Sequence, residues 1–366
     1  MRLLLAGGGT GGHLFPAVAL AQQLLAEDPA AETLFVGTKR GIEVKVLPKL
    51  NLSLATIDIV GLVDKGALGK LALLPRLIKS ITQSIKLLRG FRPDVVVGVG
   101  GYAAGPVLFA AWLLRLPTLV HEQNAWPGLT NRLLAPLARR ICLSFDEARG
   151  AFPTAKTVLT GNPLRLGMEE CPPLDPDGMN LLVFGGSRGA KAINEALLAA
   201  LPHWGTLKGQ LRILHQTGEA DCAAVRQGYA EAGWGEEVKV LPFIDDMAGA
   251  YAQHQLVLCR AGATTIAELT ACGRPALLIP YPYAAGDHQT ANASAMAQRG
   301  AALLLHQSKL DGETLAKLVA DLLRDRTRLL DMADAARSLG HLGAAQRILN
   351  ECRSLLGGQA AVHDAH

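Results

Sequence analysis

The chain has 366 residues, long for one hydrophobic core and comfortable for two α/β domains. It is 49% hydrophobic and 19% charged, yet no stretch reaches the roughly 18 uninterrupted apolar residues of a membrane span, and no signal-peptide layout precedes the first strand; we expect a cytoplasmic protein without a transmembrane helix. A net charge of +4 is too weak to point to nucleic acid, and six scattered cysteines without a CxxC or a His/Cys cluster read as buried reduced thiols.

The chain opens with MRLLLAGGGTGGHLFPAVALAQQLL, a short apolar run, then glycines, then a helical apolar pattern. Short buried strands are expected at Leu3–Ala6, Thr33–Val36, Val95–Val99, Thr118–His121, Arg140–Leu143 and Thr157–Thr160, with helical segments between several of them. Such alternation predicts a parallel sheet covered on both faces. Residues 162–180, rich in Pro, Asp and Gly, read as a linker. A second strand–glycine–helix turn, MNLLVFGGSRGAKAINEALLAAL, then starts a second series of strands at Leu181–Phe184, Arg212–Gln216, Val238–Leu241, Leu256–Cys259, Ala276–Ile279 and Ala302–Leu305. The stretch from Asp311 to Leu356 is helical in pattern, and the last ten residues are expected to fray. Two such turns opening two halves of similar length predict two Rossmann-like domains facing each other across a cleft. Each helix N-terminus points N–H groups and its positive dipole end at a ligand such as a phosphate.

GGGTGGH contains GxGxxG at Gly7, Gly9 and Gly12, a weak signal by itself. A dinucleotide fingerprint also needs an acid about 20 residues on. The second strand instead ends in FVGTKRG, with Lys39 and Arg40, which disfavours NAD and leaves NADP open. His13 follows the loop at the start of the helix. From position alone, a proton-transfer role and a turn-capping role fit equally.

GGTGGHLFPA, GVGGYAAGP, HEQNAWPGLTN, GNPLR, GGSRGA, FIDDM, CRAGATTIAE and DHQTANA occur in that order. This linked set resembles the MurG family, the bacterial UDP-N-acetylglucosamine transferase that completes lipid II, from Gly8 to about Ala293. The resemblance implies an α/β fold of GT-B type. It implies an acceptor- and membrane-binding domain over residues 1–163, onto which a helix near 341–356 packs back, and a UDP-GlcNAc-binding domain over 164–340. It also implies a peripheral enzyme on the cytoplasmic side of the inner membrane, with UDP-GlcNAc, undecaprenyl-linked lipid I and cell-wall synthesis proteins as partners.

For the donor, Ala263, Thr264, Thr265, Ile266 and Ala267 form a small-residue turn opening a helix after an apolar strand, suited to a diphosphate. Glu268 matches the family's ribose-binding glutamate, although Thr265-x-x-Glu268 also fits a capping box. By resemblance, the Ile244 backbone reads the uracil edge, Ser187 lies near the phosphate, Arg165 and Asn124 contact the donor, and Gln289 binds the sugar hydroxyls. Thr10, Gly11 and Gly12 of the first loop join the donor set.

The implied reaction is inverting attack of the muramoyl C4 hydroxyl on the anomeric carbon of UDP-GlcNAc. His13 is the candidate base, with Glu122 or a water as alternatives. Gly9, Tyr102 and His121 are candidate acceptor contacts. No DxD-like site stands out, so neither an obligatory metal nor a cofactor is expected. Residues 61–92 carry seven basic side chains against Asp64 alone, with apolar residues at helical spacing. The stripe from Ile78 to Leu88 is expected to face the sheet. Leu68, Lys70, Leu71, Leu74, Arg76, Lys79 and Trp112 are expected to meet anionic lipid. An NADP oxidoreductase and a non-catalytic two-domain binding protein remain the rival readings. A closer rival is a transferase using another nucleotide sugar or glycolipid acceptor.

Overall fold

The computed structural model describes residues 1–59, 74–165, 167–186 and 189–363. The chain divides into two compact units, Met1–Arg165 with Gly343–His366, and Leu166–Leu342. Among the described residues the first unit holds a seven-stranded parallel sheet in the order β3-β2-β1-β4-β5-β6-β7. These strands are β1 (Arg2–Gly7), β2 (Glu32–Thr38), β3 (Leu54–Ile57), β4 (Val95–Gly100), β5 (Thr118–Glu122), β6 (Arg140–Leu143) and β7 (Thr157–Leu159). Helices α1 (Gly11–Glu27), α2 (Glu43–Val46), α3 (Leu74–Phe91), α4 (Ala104–Leu113) and α5 (Leu129–Leu134) connect them. The edge strand β3 was not expected. Its first three residues are only half-buried, so the sequence there lacks a continuous apolar run.

β1 explains why the sheet is parallel and buried. Leu3 and Leu5 join the core under α1, whereas Leu4 and Ala6 join the core on the opposite face with Val96 and residues of α4. A strand apolar on both sides needs helices on both sides. Truncating Leu4 to Ala in such a site costs about 2–5 kcal/mol.

In the second unit, β8 (Asn180–Phe184), β9 (Arg212–Gln216), β10 (Val238–Leu241), β11 (Leu256–Cys259), β12 (Ala276–Leu278) and β13 (Ala302–Leu304) form a six-stranded parallel sheet in the order β10-β9-β8-β11-β12-β13. Its helices are α6 (Lys191–Ala200), α7 (Cys222–Glu231), α8 (Met247–Gln253), α9 (Ala263–Cys272), α10 (His288–Gln298), α11 (Gly312–Arg324) and α12 (Arg326–Ser338). The segment expected to be a linker is folded onto this unit from Gly167 onward. Met168 and Cys171 are buried, and Arg274 Nη2 donates to the Pro172 carbonyl at 2.9 Å.

The last helix, α13 (Ala344–His363), belongs to the first unit. Ile348, Leu349 and Cys352 enter the core under α1, and Arg353 pairs with Glu27 at 2.6 Å. It stays helical through most of the stretch expected to fray.

The helix α3 corrects one expectation. The C-terminal part of the stripe does face the sheet, with Leu88 buried and Ile85 packed on the same core, but Ile78 is 59% exposed and Ser80 and Ser84 are buried on the inward side. Both serines satisfy their hydroxyls on the preceding turn, Ser80 on the Leu77 carbonyl and Ser84 on the Ser80 carbonyl. Small side chains that bond their own helix can occupy a buried face that apolar periodicity does not reveal.

Candidate active site

In the first unit, the C-terminal ends of β1, β4 and β5 bring three short loops together. Gly101 belongs to a loop so close to the first glycine turn that a Cβ there would sit 2.5 Å from the Gly8 carbonyl oxygen. Beside it, a Cβ at Gly100, where φ is +91°, would sit 3.1 Å from the His13 ring. His13 lies in the first turn of α1, half-buried, and its Nδ1 is 3.1 Å from Gln123 Oε1. Tyr102 is exposed at the rim of the same loops. Thr10 and Gly12 are exposed and Gly11 half-exposed.

Glu43 is a residue sequence reading missed. It is 1% exposed, accepts the Gly9 N–H at 2.9 Å, and accepts the Thr38 N–H at 2.8 Å. The Gly9 amide is therefore committed to a carboxylate, which removes it from the donors the first loop could offer an acceptor phosphate. Lys39, the residue that could have met an NADP 2′-phosphate, pairs with Asp58 at 2.8 Å. Lys39 and Lys79 together hold the Asp58 carboxyl well below the usual carboxylate range.

Glu122 does not sit as a base would. It is 1% exposed, and its two oxygens accept from the Asn124 N–H at 2.9 Å, Asn124 Nδ2 at 3.2 Å, the Gly128 N–H at 3.0 Å and Asn131 Nδ2 at 2.9 Å. A carboxylate surrounded by four donors shapes the loop after β5. His121 is equally buried, so it cannot touch an acceptor directly. Its Nε2 lies 3.2 Å from both Ser144 Oγ and the Gly161 carbonyl, and burial pushes its pKa down to about 4. Asn124 is held on Glu122, and Arg165 lies over the Phe15 ring at 5.7 Å, next to the first turn of α1.

In the second unit, β11 leads into α9 through Gly262. This N-cap residue makes no side-chain cap, and the first turn of α9 carries no acid. The Thr264 hydroxyl there is buried without a hydrogen-bond partner. Thr265 sits too far inside the helix for the capping box, and Glu268 does a different job. It is 1% exposed and accepts the Tyr251 hydroxyl at 3.1 Å. Ile244 is buried in the loop after β10, and Asp246 of the same segment caps α8 by accepting the Gly249 N–H at 2.8 Å. Gln289 opens α10 and accepts the Tyr281 N–H at 2.9 Å, which turns its amide NH2 into the group it can offer a sugar.

Two further residues order this end of the sheet. Arg260 donates to the Ile279 and Pro280 carbonyls, each at 3.1 Å, and Asn292 donates to the Ala261 carbonyl at 3.0 Å. Both stand in segments already singled out, CRAG and HQTAN, but only the fold shows their targets. Ser187, Leu68, Lys70 and Leu71 lie outside the described residues, as does the side chain of Leu74. Arg76 and Lys79 are exposed on α3, and Trp112 is 47% exposed on α4. Among the described residues no helix is long and apolar enough to cross a membrane.

Two Rossmann-like parallel sheets, each turned on glycines after its first strand, make up a fold of the GT-B type. Residues 3–143 match the glycosyltransferase family 28 N-terminal domain and residues 180–348 match its C-terminal domain. A protein of Syntrophotalea carbinolica is 63% identical over 98% of this chain and 99% of its own length. One of Geobacter metallireducens is 49% identical over 96% and 98%. Both are named UDP-N-acetylglucosamine–N-acetylmuramyl-(pentapeptide) pyrophosphoryl-undecaprenol N-acetylglucosamine transferase. The crystal structure of Acinetobacter baumannii MurG superposes with a TM-score of 0.79 at 35% identity, over 96% of this chain and 99% of that one. The chain belongs to the MurG family within glycosyltransferase family 28.

Proposed function

We propose that this chain transfers N-acetylglucosamine from UDP-N-acetylglucosamine to the C4 hydroxyl of the muramoyl sugar of lipid I, giving lipid II with inversion at the anomeric carbon. The group transferred, its donor and its acceptor are those in the names of the full-length relatives, and the C4 hydroxyl and the inversion follow from the family resemblance. The observation that carries the donor assignment is the start of α9, where an uncapped helix end and a partnerless buried Thr264 hydroxyl coincide. An anionic diphosphate would satisfy both. Glu268 would take the ribose hydroxyls, the Ile244 backbone the uracil edge, Gln289 the sugar, and Ser187, Asn124, Arg165 and Thr10–Gly12 further donor contacts.

In this reading His13 removes the proton from the C4 hydroxyl as its oxygen bonds to the anomeric carbon. The bond to UDP breaks, and its electron pair leaves with the diphosphate, whose charge the α9 N-terminus stabilises. Arg76, Lys79, Ile78 and Trp112 hold the first unit on the anionic inner leaflet where the lipid-linked acceptor lies, with Lys70 and its apolar neighbours as further contacts. Cell-wall synthesis proteins would meet the enzyme on that same leaflet.

The test is UDP release from UDP-N-acetylglucosamine with a short-chain lipid I analogue. Release by the wild type that His13→Ala abolishes, with UDP binding retained, supports transferase and base together. Release with a different nucleotide sugar alone would overturn the substrate.

A further inference from the structure

The Gln123 amide is 1% exposed, and its two ends can be told apart by what surrounds them. One end lies 3.0 Å from the Val99 carbonyl and 3.2 Å from the His121 carbonyl. Backbone carbonyls only accept, so this end is the NH2 group. The other end is therefore the oxygen, and it lies 3.1 Å from His13 Nδ1. An amide oxygen only accepts, so that nitrogen must bear a hydrogen.

A second constraint reaches the same assignment from the far side. His121 Nε2 lies 3.2 Å from the Gly161 carbonyl, which requires a hydrogen on Nε2. A neutral His121 then has its lone pair on Nδ1, 3.1 Å from the Gln123 NH2 that donates to it. Starting from Gly161 or from Val99, the amide takes one orientation.

We infer that Gln123 is a positioning residue that locks His13 as its Nδ1–H tautomer, leaving the imidazole lone pair on Nε2. The catalytic meaning of this lock rests on the reading of His13 as the base. A base needs its lone pair aimed at the incoming proton. A neutral amide sets that direction without placing a charge that would hold the ring protonated at neutral pH. Once Nε2 takes the proton, the Nδ1–H bond to Gln123 is kept, so nothing need reorganise during the transfer.

The experiment is two-bond 1H–15N correlation of histidine-labelled full-length protein, well above the ordinary histidine pKa, with the His13 ring assigned by its loss in His13→Asn. The wild type should show Nδ1 protonated and Nε2 bare. An Nε2–H pattern for His13 overturns the inference without needing any Gln123 variant. Gln123→Met removes the acceptor and should mix the tautomers, lowering kcat by about tenfold or more while UDP affinity stays within about twofold. Gln123→Glu restores an oxygen toward Nδ1 and should restore the Nδ1–H signature. A folded Gln123→Met protein that keeps the wild-type tautomer also overturns the lock. Mixed tautomers with unchanged kcat would uphold the lock and remove His13 as the base.

Discussion

The first unit buries His121 on β5 and the second buries His215 on β9, and burial pushes the pKa of the first to about 4 and of the second to about 3. Their surroundings differ. His215 lies between the Tyr229 hydroxyl at 3.0 Å and Asn194 Oδ1 at 3.1 Å, and Asn194 ends on the Thr217 carbonyl and Asp221. Every ring nitrogen in that network is answered inside the unit. His121 is answered inward by Gly161 and Ser144, but outward by Gln123, whose other end holds His13 in the loop region. A closed polar network fixes a core. One with an arm leading out can also fix the orientation of a reacting group.

The largest test of that contrast is His13→Ala. We expect kcat to fall by about 10²–10⁴ with UDP affinity unchanged, measured by UDP release and calorimetry. His215→Gln should lower thermal stability and leave kcat per folded molecule close to wild type. Equal losses of kcat in both variants would erase the distinction between the networks.

Acid should expose what the two networks share. Each histidine has a folded pKa below its ordinary 6.5, so the unfolded chain takes up the proton first. The stability they confer is complete above about pH 6.5 and is lost as the pH falls to about 4 for His121 and about 3 for His215. By pH 5 this amounts to roughly 2 kcal/mol for each histidine. Calorimetric Tm should drop between pH 7 and pH 5, and a flat profile would contradict the assigned protonation states.

The donor side can be sharpened through Glu268. Glu268→Ala should weaken UDP-N-acetylglucosamine binding roughly ten- to hundredfold, as loss of charged hydrogen bonds does, and Tyr251→Phe should have a smaller effect. Unchanged affinity would mean that Glu268 serves the core with Tyr251 and not the ribose. A comparable carboxylate in the first unit, Glu43, predicts a different outcome. Glu43→Gln sets an NH2 against either the Gly9 or the Thr38 N–H, at a cost of about 1–3 kcal/mol in urea unfolding.

How much of this was legible depended on the signal each residue carries. The strands announced themselves because a parallel strand buried on both faces is a nearly continuous apolar run, as in Leu3–Ala6 or Leu256–Cys259. β3 lacks that run and was missed. Ser80 and Ser84 are buried beside the apolar stripe, at positions that apolar periodicity does not mark. The glycine turns and the α9 start were readable because glycine and small residues mark close backbone approach. The jobs of Glu122, Glu43 and Gln123 were not, since nothing in a sequence says which N–H group a buried side chain meets. Glu122 stood as an alternative base to His13 until its four donors were in place.

The smallest expected effect concerns the outer surfaces. In the first unit Ile78 is 59% exposed on a helix whose nearby cations include Arg76 and Lys79, and Trp112 is half-exposed on the neighbouring α4. The second unit exposes Leu330 at 39% on α12, beside both Asp331 and Arg328. Anionic lipid rewards the first arrangement by about 1 kcal/mol per basic side chain near the surface, added to burial of the apolar one, and it gains little from the mixed charges of the second. Arg76→Glu with Ile78→Ser should therefore weaken binding to phosphatidylglycerol vesicles by at least about fivefold, more at low salt. Leu330→Ser should leave vesicle binding as it is. Lys79 is the poorer choice for charge reversal, because its pairing with Asp58 would confound loss of lipid contact with new repulsion inside the unit. Vesicle binding that survives the double substitution would remove α3 from the proposed membrane contact.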